Sequence, residues 1–271
     1  MAIELLTKSA NQGCAEGQHA LGDCYYYSYG GLRDYKLAIE WYTKAAEQGY
    51  ADAQCRLGEI YLNGNGISID YDLAIQWFSK AVAQKHHNAA YYLGVAQYNL
   101  GQEYEKGSNG AAPDSHLSIE LYTKAAESKW GWREQAMYSL GMIYKEGRDG
   151  VPQNYKLAAE WLEKASERGS ESAQLALFDM YANGLGDLDY QRVVNCVTRA
   201  NLQYKISLMY KEGREGVPQD YKLAAEWLEK AATQDHCTAQ SLLGEMYQEG
   251  LGVPQDDAKA AEWFTKAAAC K

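Results

Sequence analysis

The chain has 271 residues, a formal net charge of −10 and a hydrophobic share of 46%. That is enough apolar material for one or two folded domains. Its acidic residues are interspersed, which excludes nucleic acid and anionic membrane surfaces as main partners, because both reward clustered Lys and Arg. No apolar run is long enough to span a bilayer, so no membrane insertion is expected within this chain. Tyrosine is used 23 times and Phe three times, which suits a thin structure where ring bodies pack and hydroxyls stay wet.

Six cysteines (Cys14, Cys24, Cys55, Cys196, Cys237 and Cys270) share no regular spacing and form no C-x-x-C pair. Free thiols in a reducing compartment are therefore expected, with neither a disulfide nor a zinc framework. The opening residues MAIELLTKSANQG lack the pattern of a signal peptide. The expected location is the cytoplasm, or a host cytosol after delivery. The chain begins inside one helix and ends just after another, where a stack of repeats would carry polar caps. A piece of a longer protein is an expectation on that ground.

In chain order, one unit recurs. The Trp of A-x-E-W-x-x-K-A has counterparts at Leu5, Trp41, Trp77, Leu121, Trp161, Cys196, Trp227 and Trp263, in steps of 36, 36, 44, 40, 35, 31 and 36 residues. An upstream L-G-x-x-Y places tyrosines at 25, 61, 104, 144, 181, 210 and 247. The segments Lys145–Ala165 and Lys211–Ala231 differ at only two positions, Asp149/Glu215 and Asn154/Asp220. Each unit reads as two antiparallel helices. Helix A carries apolar residues four apart, as in Ala53, Leu57 and Tyr61, and stops at a glycine such as Gly64 or Gly250. A loop follows, and Asp or Asn (Asp34, Asp70, Asp114, Asn154, Asp189, Asp220, Asp256) caps helix B. Helix B buries the Ala–Trp stripe. Its Glu–Lys pairs four apart (Glu40–Lys44, Glu120–Lys124, Glu160–Lys164, Glu226–Lys230, Glu262–Lys266) are read as solvated scaffolding, each worth about 0.2–0.5 kcal/mol.

Two places break the pattern. Seven extra residues ahead of Leu100-Gly101 predict a helix A about two turns longer. The turn SKWGWREQ that follows Leu121 holds Trp130 and Trp132, which either serve as exposed anchors for a partner or fold back over the long helix. From 185 to 206, Cys196 replaces the Trp, Val193-Val194 replace Ala-Ala, and the next helix A looks about six residues short. A kink is predicted there within one domain of 1–271.

The words A-x-x-x-L-G-x-x-Y-x-x-G-x-G-V-P-x-D-x-x-x-A-x-x-W-x-x-K-A-A resemble the Sel-one-like repeat family, relatives of the tetratricopeptide repeats, over essentially the whole chain. The resemblance implies an all-α, right-handed superhelical solenoid of antiparallel helix pairs, about seven repeats plus a leading half repeat. It also implies a protein-binding adaptor or scaffold whose A helices line a concave groove. One branch of that family has been linked to penicillin binding and β-lactam hydrolysis, but those members place a disulfide pair in nearly every repeat. This chain shows no such pattern, and no lactam turnover is expected.

With the Leu of each helix A as position zero, offsets −2, +2 and +5 face away from the buried stripe. On the family's geometry these line the groove: Asp23, Tyr26, Glu59, Tyr98, Gln102, Glu105, Tyr138, Met142, Asp179, Tyr204 and Glu245. Carboxylates and tyrosines there suit a protein segment with basic and apolar residues. A solvated face with ordinary surface tyrosines is the competing reading.

No nucleophile elbow, zincin, phosphate-binding or zinc spacing occurs, and Gly64-Asn-Gly66 belongs to the repeat loop. His86 and His87 are adjacent and so point apart on a helix. No catalytic, cofactor or metal residue is therefore predicted. The leading expectation is a non-enzymatic interaction scaffold. The alternatives are a dedicated inhibitor or immunity-type partner of one enzyme or toxin and, behind it, a β-lactamase-like hydrolase.

Overall fold

The computed structural model describes residues 2–29, 33–107, 112–186, 188, 197, 200–213 and 217–270. Among them the regular structure is all helical. The helices are α1 (Ala2–Asn11), α2 (Ala15–Tyr27), α3 (Tyr35–Glu47), α4 (Ala51–Asn63), α5 (Tyr71–Ala83), α6 (Ala89–Lys106) and α7 (Ser115–Glu127). They continue as α8 (Arg133–Glu146), α9 (Tyr155–Glu167), α10 (Glu171–Ala182), α11 (Ala200–Glu212), α12 (Tyr221–Ala232), α13 (Cys237–Glu249) and α14 (Asp257–Ala269).

The chain forms two compact units, Met1–Ser139 with Arg148–Val151, and Leu140–Gly147 with Pro152–Lys271. In the first, α2 packs on α3, α4 on α5 and α6 on α7, and α1, α3 and α5 each pack on the A helix that follows. Its cores centre on Tyr42, Leu57 and Ile60, and on Phe78, Ala81 and Ala96. In the second, α9 packs on α10, and α11 through α14 pack in succession around Phe178, Ile206, Trp227, Leu228 and Leu243.

The repeated words are explained by packing. A Cβ built on Gly58 would stand 2.5 Å from the Phe78 ring, and one on Gly101 2.7 Å from the Tyr122 ring. Both are closer than non-bonded carbons tolerate. Glycine after the Leu thus lets helix A lie directly against the residue that follows the Trp position of helix B. The caps form as expected: the side chains of Asp34, Asp70, Asp114, Asn154, Asp220 and Asp256 each accept from a backbone N–H in the first turn of the following B helix. Asp189 lies outside the described residues. Each capping residue also donates its own N–H to the carbonyl of the L-G-x-x-Y tyrosine, as in Asp34 to Tyr25 (3.0 Å), Asn154 to Tyr144 (2.8 Å) and Asp256 to Tyr247 (2.9 Å). That bond closes loops of different length on the same point.

A glutamine ladder was not anticipated. Gln18, Gln54 and Gln240 are buried on their A helices, and their amides donate to Ala10, Ala46 and Ala232 near the ends of the preceding B helices. The acceptor oxygens of Gln18 and Gln54 are taken by Gln48 (2.6 Å) and Gln84 (2.8 Å). These bonds give the helix-end carbonyls of Ala10, Ala46 and Ala232 a second donor beside the turn N–H groups of Gly13, Gly49 and Asp235.

The Glu–Lys reading needs correction. Lys44, Lys80, Lys164, Lys230 and Lys266 sit 4.0–4.4 Å from the ring centres of Trp41, Trp77, Trp161, Trp227 and Trp263. Glu120 and Lys124 pair at 2.6 Å, in the unit where Leu121 replaces the tryptophan. Magnitudes explain the choice, since a cation over an exposed indole is worth about 0.5–1 kcal/mol and a helical ion pair about half that. Glu226 still acts on Lys230 electrostatically.

Three further expectations change. α6 is 18 residues against 13 for α4, so the extension is about one and a half turns rather than two. α11 has a full 13 residues, so the predicted shortening is not within the helix. Most of the kink region (187, 189–196, 198–199), with Val193, Val194 and Cys196, lies outside the described residues. Finally, Cys237 and Cys270 form a disulfide with Cα atoms 5.8 Å apart. Antiparallel pairing brings the first residue of α13 beside the C-cap of α14, a proximity that a sequence separation of 33 conceals. Cys14, Cys24 and Cys55 are free. The free-thiol argument for a reducing compartment therefore loses two of its cysteines.

Candidate functional site

The predicted groove residues separate into three groups. Asp23 and Glu105 are engaged internally: each accepts the hydroxyl of a buried tyrosine, Tyr42 and Tyr122, at 2.6 Å. Burial first, and then the carboxylate, push both phenols above their ordinary range, so the proton stays on the tyrosine. Arg148 adds a second bond to Glu105 at 2.7 Å. Asp179 pairs with Lys145. Where Phe78 replaces the tyrosine, no hydroxyl is available, and Glu59 pairs with Arg56 at 2.9 Å.

Tyr98 corrects the groove assignment. It is only 6% exposed, its ring lies against Tyr122 (5.3 Å) and Trp132 (5.2 Å), and Gln102 donates to its hydroxyl. Tyr122 of α7 and the Trp-bearing turn cover it. Trp132 is thus part of that cover while still 41% exposed, and Trp130 is 63% exposed. Tyr26 accepts from Asn65 and packs edge-on against Tyr27 and Tyr35. Tyr138 and Met142 are half-buried, Tyr204 is half-buried and stacks on His236 at 4.7 Å, and Glu245 is exposed.

In the first unit the A helices and the α5–α6 loop surround a polar hollow of about 220 Å³, lined by His19, Asp52, Cys55, Arg56, Glu59, His86, Asn88 and Tyr92. Its construction follows from the repeat. Residue 19 on α2 and residue 55 on α4 share offset −2, Asp52 lies in the first turn of α4, and the α5–α6 loop delivers His86. His86 Nε2 meets Asp52 Oδ1 at 2.9 Å, and His19 Nδ1 stands 3.8 Å from Asp23 Oδ2. The buried atoms His19 Nε2 and His86 Nδ1 have no hydrogen-bond partner. Burial holds the His19 imidazole below its ordinary value of 6.5, with Asp23 opposing. Burial, then Glu59, pushes the Cys55 thiol up to about 12, which leaves it protonated and a poor nucleophile. Glu59 is also the main reason the Tyr92 phenol is raised.

The sequence analysis assigned Glu59 to the groove; His19 and Cys55 occupy offset −2 of the same helices, and Asp52, Arg56, His86 and Tyr92 carried no groove assignment. Asp52 and His86 are 34 residues apart, about one repeat, and that period was the available signal. Two exposed rings adjoin the hollow: Tyr27, over which Arg56 lies at 5.5 Å, and Tyr91, edge-on to Tyr92 at 5.3 Å. In the second unit another hollow of about 220 Å³ is lined by Glu171, Ser172, Leu175, Asn201, Leu202 and Lys205. Among the described residues no group of three or more His, Cys, Asp or Glu is placed to hold a metal, and no helix is long and apolar enough to cross a membrane.

A family model described as the Sel1 repeat matches residues 1–14, 15–50, 51–86, 88–129, 134–170, 171–192, 200–236 and 238–271. A Sel1 repeat protein of solved structure from Oxalobacter formigenes is 32% identical, with a TM-score of 0.54 over 98% of this chain and 75% of that one. A protective antigen of uropathogenic Escherichia coli with the same repeat fold is 29% identical, TM-score 0.43, over 98% of this chain and 63% of its own. An immunity protein from Pseudomonas aeruginosa is 16% identical, TM-score 0.31, over 85% and 72%. No curated protein sequence matches. With eight matched repeats spread over nearly its whole length, the chain belongs to the Sel1 repeat family, whose members are generally protein-interaction scaffolds.

Proposed function

We propose that the chain is a non-enzymatic scaffold that binds a protein segment carrying basic and apolar residues, and that in the first unit the segment lies over α2, α4 and α6. The observation that carries this reading is the hollow itself. Asp52 and Glu59 line it against a single guanidinium, and that guanidinium is already paired with Glu59. Exposed tyrosines on either side offer rigid, amphipathic contact at low entropic cost. Carboxylates attract basic residues, and the tyrosines accept their apolar neighbours.

An array of short peptides probed with the purified chain tests it. Bound peptides are expected to be rich in Arg or Lys next to apolar residues. Asp52→Lys, a charge reversal at a half-exposed carboxylate, should weaken the best of them more than about tenfold, or ~1.4 kcal/mol. Glu245→Lys on α13 should leave them unchanged. Binders without basic residues, or equal affinity for Asp52→Lys, would contradict the assignment.

A further inference from the structure

We infer that the hollow between α2, α4 and the start of α6 is a socket for one arginine side chain of the bound segment. This rests on the scaffold reading and deepens it. At about 220 Å³ the space is below the ~300–1,000 Å³ of sites for drug-sized molecules. It matches the end of a side chain rather than a metabolite.

Its walls present acceptors. His86 Nε2 is the nitrogen bonded to Asp52, so in the neutral ring its proton lies there and Nδ1 is a lone pair. His19 Nδ1 stands 3.8 Å from Asp23 Oδ2, an electrostatic approach rather than a hydrogen bond, and that carboxylate favours the proton on Nδ1 and the lone pair on Nε2. Both lone pairs are buried without a partner, a state that folded proteins rarely leave unexplained. Asp52 retains acceptor capacity beyond its bond to His86, and Glu59 beyond its bond to Arg56. An apolar ligand would leave these acceptors unsatisfied, and an anion would face carboxylates.

Guanidinium fits better than ammonium for two reasons. Its five N–H donors lie in a fixed planar fork, which can reach acceptors contributed by separate elements, whereas ammonium is a compact point charge. It also stacks on aromatic faces. The Tyr92 ring lines the hollow and is itself held by stacking on Phe78 at 5.6 Å. Arg56, held to Glu59 and over Tyr27, occupies part of the wall and shows that the site already accommodates one guanidinium.

The test titrates the full chain with N-acetyl-arginine amide, N-acetyl-lysine amide and N-acetyl-norleucine amide while following the His19 and His86 ring resonances. Arginine should produce a saturable shift of both histidines in the millimolar range, lysine one at least about tenfold weaker, and norleucine none. Asp52→Asn should weaken the arginine response at least about tenfold at unchanged helical content, and Glu59→Gln serves if that variant does not fold. Equal responses to arginine and norleucine, equal responses to arginine and lysine, or no saturable response to arginine would each overturn the socket. The peptide array keeps the two ideas separate. Basic segments that bind while arginine amide does not would overturn the socket alone, and an array with no binders would overturn the scaffold reading.

Discussion

Trp227→Ala is expected to destabilise the second unit by about 3–5 kcal/mol, the range for removing a large aromatic from a core. Trp227 is 0% exposed and sits in a cluster with Ile206, Leu228 and Leu243. Its counterparts Trp41, Trp77, Trp161 and Trp263 are only partly buried, with a lysine over each ring. Truncating Trp41 should therefore cost roughly half as much, since less of its surface leaves water on folding. In a long repeat array cooperativity breaks down, so local readouts are used. Amide hydrogen exchange on α12 for Trp227→Ala, and on α3 for Trp41→Ala, reads each loss where it occurs. Equal losses would mean that burial does not separate the repeats.

Reduction of the Cys237–Cys270 bridge is expected to lower the stability of the α13–α14 pair by about 3–4 kcal/mol. The sequence separation of 33 falls between the loop lengths for which chain entropy gives about 3 and about 4.7 kcal/mol. Besides the bridge, α14 is held by the buried Ala260, by the partly buried Trp263 against the second core and by the Phe264 ring against Gly244. Urea unfolding with and without reductant, and of Cys237→Ser, should show the same loss. α14 should be the first helix to exchange its amides. Identical curves in oxidised and reduced samples would contradict this.

The scaffold was legible in the sequence because its rules are local. Asp34, Asp70, Asn154 and Asp220 are readable as caps from a loop and a following Ala–Trp stripe. The glycine of L-G marks a close approach that repeats identically at Gly58 and Gly101. What the sequence concealed depends on distant partners. Tyr98 reads as a surface tyrosine by offset, and becomes core only because the turn carrying Trp132 folds onto it. Lys44 reads as a partner for Glu40 until the indole three residues back is seen to lie beneath it. The hollow joins Asp52 to a loop histidine about one repeat away, and the bridge joins opposite ends of two antiparallel helices. The glutamine ladder was in plain view, three residues ahead of the Leu at Gln18, Gln54 and Gln240, and its function is visible only against the carbonyls it donates to.

The repeated words build the molecule, and the divergent A-helix surface is assigned the binding role. A hydrogen-exchange footprint of the chain with its tightest basic peptide tests that division most directly. Protection should concentrate on α2, α4 and the start of α6, around His19, Asp52, Glu59 and Tyr92. The near-identical segments Lys145–Ala165 and Lys211–Ala231 should exchange as they do in the free chain. Protection centred on those two segments, with α2 and α4 unchanged, would contradict it.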